Sequence, residues 1–167
     1  MRRVITLTIL LILSFLLQTT VFSLHDITSA SPNLMLILTM SFGIMRGRRE
    51  GMLTGFFSGL LYDLFFGSWL GLYAFFYMCI GYVNGTFHKN YLMEDVGLPV
   101  FIIILDQLFL DLVVFTGNFL LRNRLDLGFY FVHRMLPQLL YDVLITVLVY
   151  RLYLRINRRI KRKAAGL

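Results

Sequence analysis

The chain has 167 residues, of which 58% are hydrophobic and 15% charged, and its mean hydropathy is +0.75. A soluble domain of this size could not hide so much apolar side chain, so lipid must solvate much of it. The net charge of +7 does not point to nucleic acid: the basic residues stand in short clusters between apolar runs and at the C-terminus, where they orient membrane spans.

The first apolar run, residues 4–24, follows Arg2 and Arg3. It is longer than the ~7–15 residues of a signal-peptide core and no Ala-x-Ala-like site follows it, so it is read as a retained span. Further apolar runs predict spans at about 31–45, 51–66, 69–87, 96–121 and 133–153. The expected architecture is therefore an all-α, six-transmembrane-helix bundle forming one domain over residues 1–167. The second run is short for a hydrocarbon core of ~30 Å. It must borrow residues 27–32, sit in thinned lipid, or form a re-entrant hairpin with the third. Five spans is the alternative count.

Charge placement favours six. With the N-terminus inside, the cytoplasmic segments hold Arg2, Arg3, Arg46, Arg48, Arg49, Lys89, Arg151, Arg155, Arg158, Arg159, Lys161, Arg162 and Lys163, while Arg122, Arg124 and Arg134 fall outside. Both termini are then cytoplasmic, in a multi-pass protein of a bacterial cytoplasmic (inner) membrane. From 151 onward, Arg151, Arg155, Arg158, Arg159 and Arg162 share one helical face and Leu152, Ile156 and Ile160 another. That basic amphipathic tail, 151–163, is expected to grip anionic lipid or to offer a handle to a cytoplasmic partner.

Glycine recurs at every fourth position, Gly43, Gly47, Gly51, Gly55 and Gly59, followed by Asp63, Gly67 and Gly71. Four residues advance about 400°, so this spacing predicts a groove along one face of the third span, with Gly81 and Gly85 giving the fourth a shorter one. Small-xxx-small grooves let helix backbones approach in lipid, so Gly51, Gly55, Gly59, Asp63 and Gly67 are candidates for helix packing within the chain or for a partner interface. Asp63, Asp106, Asp111 and Asp142 fall within spans, where each charged group costs about 2.5–3.5 kcal/mol on insertion scales. Asp63 and Asp111 are expected near the outer helix ends, within reach of water or of Arg122, Arg124 and Arg134. Asp106 and Asp142 lie deeper and need protonation, a polar cavity, or partners such as Gln18, Gln107, Asn118 or Gln138. An acid-lined ion path and interhelical hydrogen bonding both fit these residues; Pro32, Pro99 and Pro137 fall near span ends, not in mid-span as a broken transport helix would need. Cys79 has no partner for a disulfide or thiolate site, which leaves it a small core residue. His25, His88 and His133 have no second ligand at metal spacing, and no nucleophile or phosphate-binding motif occurs. No catalytic residue, metal or cofactor is expected, and the protein is read as not an enzyme.

The run Gly51-Met-Leu-Thr-Gly55-Phe-Phe-Ser-Gly59-Leu-Leu-Tyr-Asp63-Leu-Phe-Phe-Gly67 resembles the MreD family, the small membrane subunit of the bacterial rod-shape and cell-elongation machinery. Gln18-Thr19, Pro32-Asn33-Leu34, and Leu136-Pro137-Gln138 with Tyr141-Asp142 extend the likeness over most of the chain. Asn33 departs from it, standing where the family often has Asp; this removes a charge but keeps a hydrogen-bonding helix start. The resemblance implies a non-enzymatic scaffold that binds an MreC-like protein and links cytoplasmic MreB filaments to the peptidoglycan synthases outside. It also implies a helical bundle similar to the substrate-binding subunits of energy-coupling-factor transporters, which supplies the alternative: capture of a vitamin-sized molecule for a separate ATPase module.

Overall fold

A computed structural model of the protein describes residues 2–20, 32–66, 71–90, 97–122 and 135–164. Among them there is no strand. Six α-helices follow in order: α1 (Arg2–Thr20), α2 (Leu34–Arg46), α3 (Arg48–Phe66), α4 (Leu72–Asn84), α5 (Gly97–Arg122) and α6 (Leu136–Ala164), with a 3-10 turn, Gly85–Asn90, closing α4. Among the described residues one helix, Gly97–Gly117 within α5, is long and apolar enough to cross a membrane by itself; Ile5–Thr20 and Leu34–Arg46 are apolar but shorter.

α2 is apolar on every side, and every residue from Leu34 to Met45 is buried. A helix without a polar face must be enclosed, and this one packs against each of the other five. Its thirteen residues make a rod of about 20 Å, well short of a ~30 Å hydrocarbon core. Met35, Leu36, Ile37, Phe42 and Ile44 lose all solvent contact.

α2 reverses into α3 through one residue. Gly47 has φ +95°, a conformation that a Cβ resists, and its N–H closes α2 by donating to the Gly43 carbonyl at 2.8 Å. The Nδ1 of His88 lies 2.8 Å from the Ile44 carbonyl oxygen at the same end. Arg46 reaches across the reversal to Glu50 at 2.8 Å and lies over the Phe42 ring. This corrects the reading of the glycine ladder as one continuous groove on the third span. Gly43 belongs to α2 and Gly47 is the bend; only Gly51, Gly55 and Gly59 lie on α3. The four-residue period survives the bend because α3 folds straight back along α2, where a Cβ on Gly51 would stand 2.6 Å from the Gly43 Cα.

The distribution of polarity is inverted relative to a soluble protein. Ser14, Gln18, Asn33, Thr39, Ser58, Asp63, Asn84, Asp106, Gln107, Asp111, Asp142 and Thr146 are buried, while Phe57, Leu64, Phe65, Phe101, Leu112, Leu144 and Leu148 are half or more exposed. Apolar side chains face outward on α1 and on α3 to α6, the arrangement expected when hydrocarbon is the solvent and polar groups must find one another inside.

Candidate functional site: the α3–α4 seam and the capped start of α2

α3 and α4 touch along their backbones. A Cβ built on Gly55 would lie 2.6 Å from the Tyr77 carbonyl carbon, one on Gly59 2.5 Å from the Ala74 Cα, and one on Gly81 2.6 Å from the Gly51 carbonyl carbon. Gly85 is held as closely, with the Gly47 carbonyl carbon 2.7 Å from its Cβ position. Any side chain at these four places would push the helices apart, so this glycine face is spent on contact within the chain.

At the far end of the same seam, Asp63 closes the hairpin. Its Oδ2 accepts from the Gly71 N–H at 3.0 Å and the Ala74 N–H at 2.9 Å, and its Oδ1 from the Tyr73 N–H at 3.1 Å. The first N–H groups of a helix have no intrahelical acceptor and carry the positive end of its dipole. Asp63 supplies from α3 the cap that Gly71, which has no side chain, cannot supply to α4. It is 2% exposed, so the expectation that it reaches water or an outer arginine gives way to a backbone cradle. The glycine spacing and the acid thus serve one device: glycines bring α4 against α3, and the carboxylate caps the helix that arrives.

The start of α2 gathers side chains from three other helices. The Oδ1 of Asn33 accepts from the Leu36 N–H at 3.2 Å, which is a helix cap. The Met35 N–H donates to Gln18 Oε1 on α1 at 3.2 Å, and the Asn33 N–H to Asp142 Oδ1 on α6 at 2.6 Å. The Tyr77 hydroxyl on α4 lies 2.9 Å from Asn33 Oδ1 and 2.6 Å from its Nδ2. Asn33 is 6% exposed and Asp142 1%. A helix start enclosed this deeply needs all its donors satisfied internally. Pro32-Asn33 therefore opens a short helix inside the protein.

Two further pairs complete the polar interior. Asn84 Nδ2 on α4 donates to Asp106 Oδ2 on α5 at 2.5 Å, and Gln107 Nε2 donates to Asp111 Oδ1 at 3.2 Å. Asp111 is 7% exposed, which leaves little contact with water; the side chains of Arg122, Arg124 and Arg134, its other expected partners, lie outside the described residues. Ser14 on α1 and the Tyr153 hydroxyl on α6 meet at 2.8 Å. Sequence reasoning overlooked Asn84 and Tyr77. Asn84 carried a usable signal, as an amide inside an apolar run; Tyr77, one of nine tyrosines, carried none. Gln138 is half-buried on α6 and Cys79 half-buried on α4; Arg151 and Arg155 are exposed. Gly67, His25, His133, Arg124 and Arg134, and the side chains of Asn118, Arg122, Arg158, Arg159 and Arg162, lie outside the described residues. Among the described residues no three His, Cys, Asp or Glu side chains are grouped to hold a metal ion.

This interior holds helices together: the two Asp63 and Asp142 carboxyls cap helices, and the glycines set interhelical distance. Comparison with known proteins adds a family. No curated protein and no solved structure matches the chain. A family model described as rod shape-determining protein MreD matches residues 1–157. The chain belongs to the MreD family of membrane proteins that determine rod shape.

Proposed function

We propose that the chain is a non-enzymatic scaffold of the cell-elongation complex. It crosses the cytoplasmic membrane six times with both termini inside, binds an MreC-like protein, and links MreB filaments to peptidoglycan synthesis. The observation that supports this reading is the use made of the motif residues. Gly51, Gly55, Gly59 and Asp63 are consumed in holding α3 to α4, which yields a rigid platform whose outer faces are apolar. The partner's membrane anchor therefore docks on an outer face and not in the glycine groove. α6, 29 residues long, extends about 43 Å, more than the ~30 Å hydrocarbon core requires. Its C-terminal basic turns then reach the cytoplasmic surface, where Arg151, Arg155, Arg158, Arg159 and Arg162 meet anionic lipid or the filament machinery.

The test is co-purification of full-length protein from membranes with an MreC-like protein. Recovery of a stable complex, together with loss of rod shape on depletion, is the expected result. Retention of a vitamin-sized molecule in stoichiometric amount, with no MreC-like protein bound, would overturn the scaffold in favour of a transporter capture subunit. Because the groove is internal, Gly55→Leu and Gly59→Leu should lower the amount of folded protein, with loss of partner following loss of fold. A well-folded Gly55→Leu protein that no longer binds would instead place the partner in the groove.

A further inference from the structure

Three arginines stand at the reversal between α2 and α3, and the fold treats them differently. Arg46 is turned inward, where Glu50 accepts from its Nη1 at 2.8 Å. Arg48 and Arg49 are exposed, and neither makes a hydrogen bond or an ion pair with a described residue. Glu50, the acid in the first turn of α3, is already engaged by Arg46. Cations at the start of a helix oppose the positive end of its dipole, and Gly47 has no side chain with which to cap the first N–H groups. This corner of the bundle therefore carries two uncompensated charges.

Arg48 is nevertheless held in place. Its guanidinium lies over the ring of Tyr82 on α4, 5.5 Å from the centroid, and its backbone rests against Gly85, whose Cβ position meets the Arg48 N and Cα. A guanidinium stacked by its face keeps its N–H edge free for an oxyanion. Beyond the stack the surface is apolar. Arg48, Met52 and Phe56 follow at i, i+4 and i+8 on α3, in the row beside the glycines, and Phe75 and Tyr82 stand at i and i+7 on α4. The Arg48–Tyr82 contact puts these two rows on the same side of the seam. Phe56, Phe75 and Tyr82 are exposed and Met52 is half-buried. From Arg48 to Phe56 the strip runs about 12 Å, close to the ~15 Å depth of one leaflet.

We propose that this corner is a binding site for one anionic glycerophospholipid. Arg48 and Arg49 hold the phosphodiester, Tyr82 fixes the Arg48 fork, and an acyl chain lies along Met52, Phe56 and Phe75. Complementarity selects the occupant: two cations without counter-ions at the head of an apolar strip fit a molecule that is anionic at one end and hydrocarbon beyond it. A zwitterionic headgroup would bring a further cation to a corner that already has two. The bound lipid would brace the α2–α3 reversal against the end of α4. The site is separate from the basic turns of α6, and it stands or falls independently of which protein partner binds.

Full-length protein in a neutral detergent is titrated with dioleoylphosphatidylglycerol and, separately, with dioleoylphosphatidylcholine, and bound lipid is counted by native mass spectrometry. One phosphatidylglycerol should bind about tenfold or more tightly than phosphatidylcholine, and Arg48→Gln should remove most of that preference. Two variants that keep the net charge separate a built site from general surface charge. Arg48→Lys, which loses the planar fork, and Tyr82→Leu, which loses the stack, should each weaken phosphatidylglycerol binding by about threefold. The unfolding midpoint in detergent alone checks that each variant is folded. Unchanged affinity in both of these variants would reduce the effect to surface charge and overturn the proposal, as would equal affinity for the two lipids. Displacement of the lipid by millimolar inorganic phosphate would overturn it by assigning a soluble anion. Arg48→Gln protein that keeps phosphatidylglycerol but releases a co-purifying membrane protein would assign the corner to a protein anchor instead.

Discussion

Replacing Gly55 by alanine tests the α3–α4 contact most directly, because helix propensity and packing then pull in opposite directions. In a helix interior alanine is favoured over glycine by about 0.8–1.0 kcal/mol. At Gly55 the new methyl would meet the Tyr77 carbonyl carbon at 2.6 Å, where ordinary contact begins at 3.4 Å. The obstacle is backbone, which cannot rotate aside, and the Tyr77 carbonyl oxygen stands closer still, so α4 must retreat by more than about 1 Å. That retreat also opens the contacts at Gly51 and Gly59, which share the seam. Overpacking of this kind costs about 1–3 kcal/mol, and three coupled contacts place it at the upper end. The net loss is then about 2 kcal/mol, or a fall of roughly 4–8 °C in the unfolding midpoint for a protein of this length. Gly117 is the control: it is helical and exposed on α5, with nothing within 4 Å of its Cβ position. Gly117→Ala should raise the midpoint by about 2 °C, as propensity alone dictates. Thermal unfolding of both full-length variants in detergent decides the matter. If Gly55→Ala were as stable as Gly117→Ala, the two helices would not be in backbone contact and the account of the ladder would fail.

Three more substitutions probe the polar interior by the same assay. Asp63→Ala strips the acceptor from three N–H groups at the start of α4 and should cost about 3 kcal/mol, whereas Asp63→Asn, which keeps one acceptor oxygen, should cost less; equal losses would deny the cap. Tyr77→Phe removes the hydroxyl that bridges α4 to Asn33 and should lower stability by about 1–2 kcal/mol, and an unchanged midpoint would show that the bridge does not form. Asn84→Leu leaves the Asp106 carboxyl without its donor and should destabilise more than the double variant Asn84→Leu with Asp106→Leu; additive losses would mean that the pair is not coupled.

The sequence made the helices and the glycine–acid motif legible because both are periodic. Apolar runs of helical length announce α1, α5 and α6, and a four-residue glycine period needs no partner to be seen. A reversal between the second and third spans was expected from the arginines at 46, 48 and 49, but its tightness was not: an α-helix and a one-residue reversal both tolerate glycine at position 47, and the period itself gives no sign of φ. The burial of α2 was half visible. Its run is too short to span and has no polar face, which signals enclosure, but only the contacts of Gln18, Tyr77 and Asp142 with Asn33 and Met35 reveal that its start lies inside the bundle. The acids were found from cost alone, since an Asp in an apolar run always needs a reason. Their partners were not, because hydrogen bonds such as Asn84 to Asp106 or Asn33 to Asp142 cross 22 and 109 residues of chain.

Those long-range bonds bear on how such a protein could act as a scaffold. In lipid the apolar effect between helices is weak, so shape must be held by close backbone contact and by polar groups that find one another. Here the two means are divided between places. Backbone contact fixes α3 against α4, and side-chain caps fix the start of α2 to α1, α4 and α6. α2 belongs to both, since it leads into α3 at Gly47 and shares its first turn with Asp142. A displacement of α6 at Asp142 therefore reaches the glycine seam through one short, wholly buried helix. Because the basic turns continue α6 itself, a partner pulling on that tail would act on the same lever. Rigid coupling of this kind is what the proposed scaffold role requires.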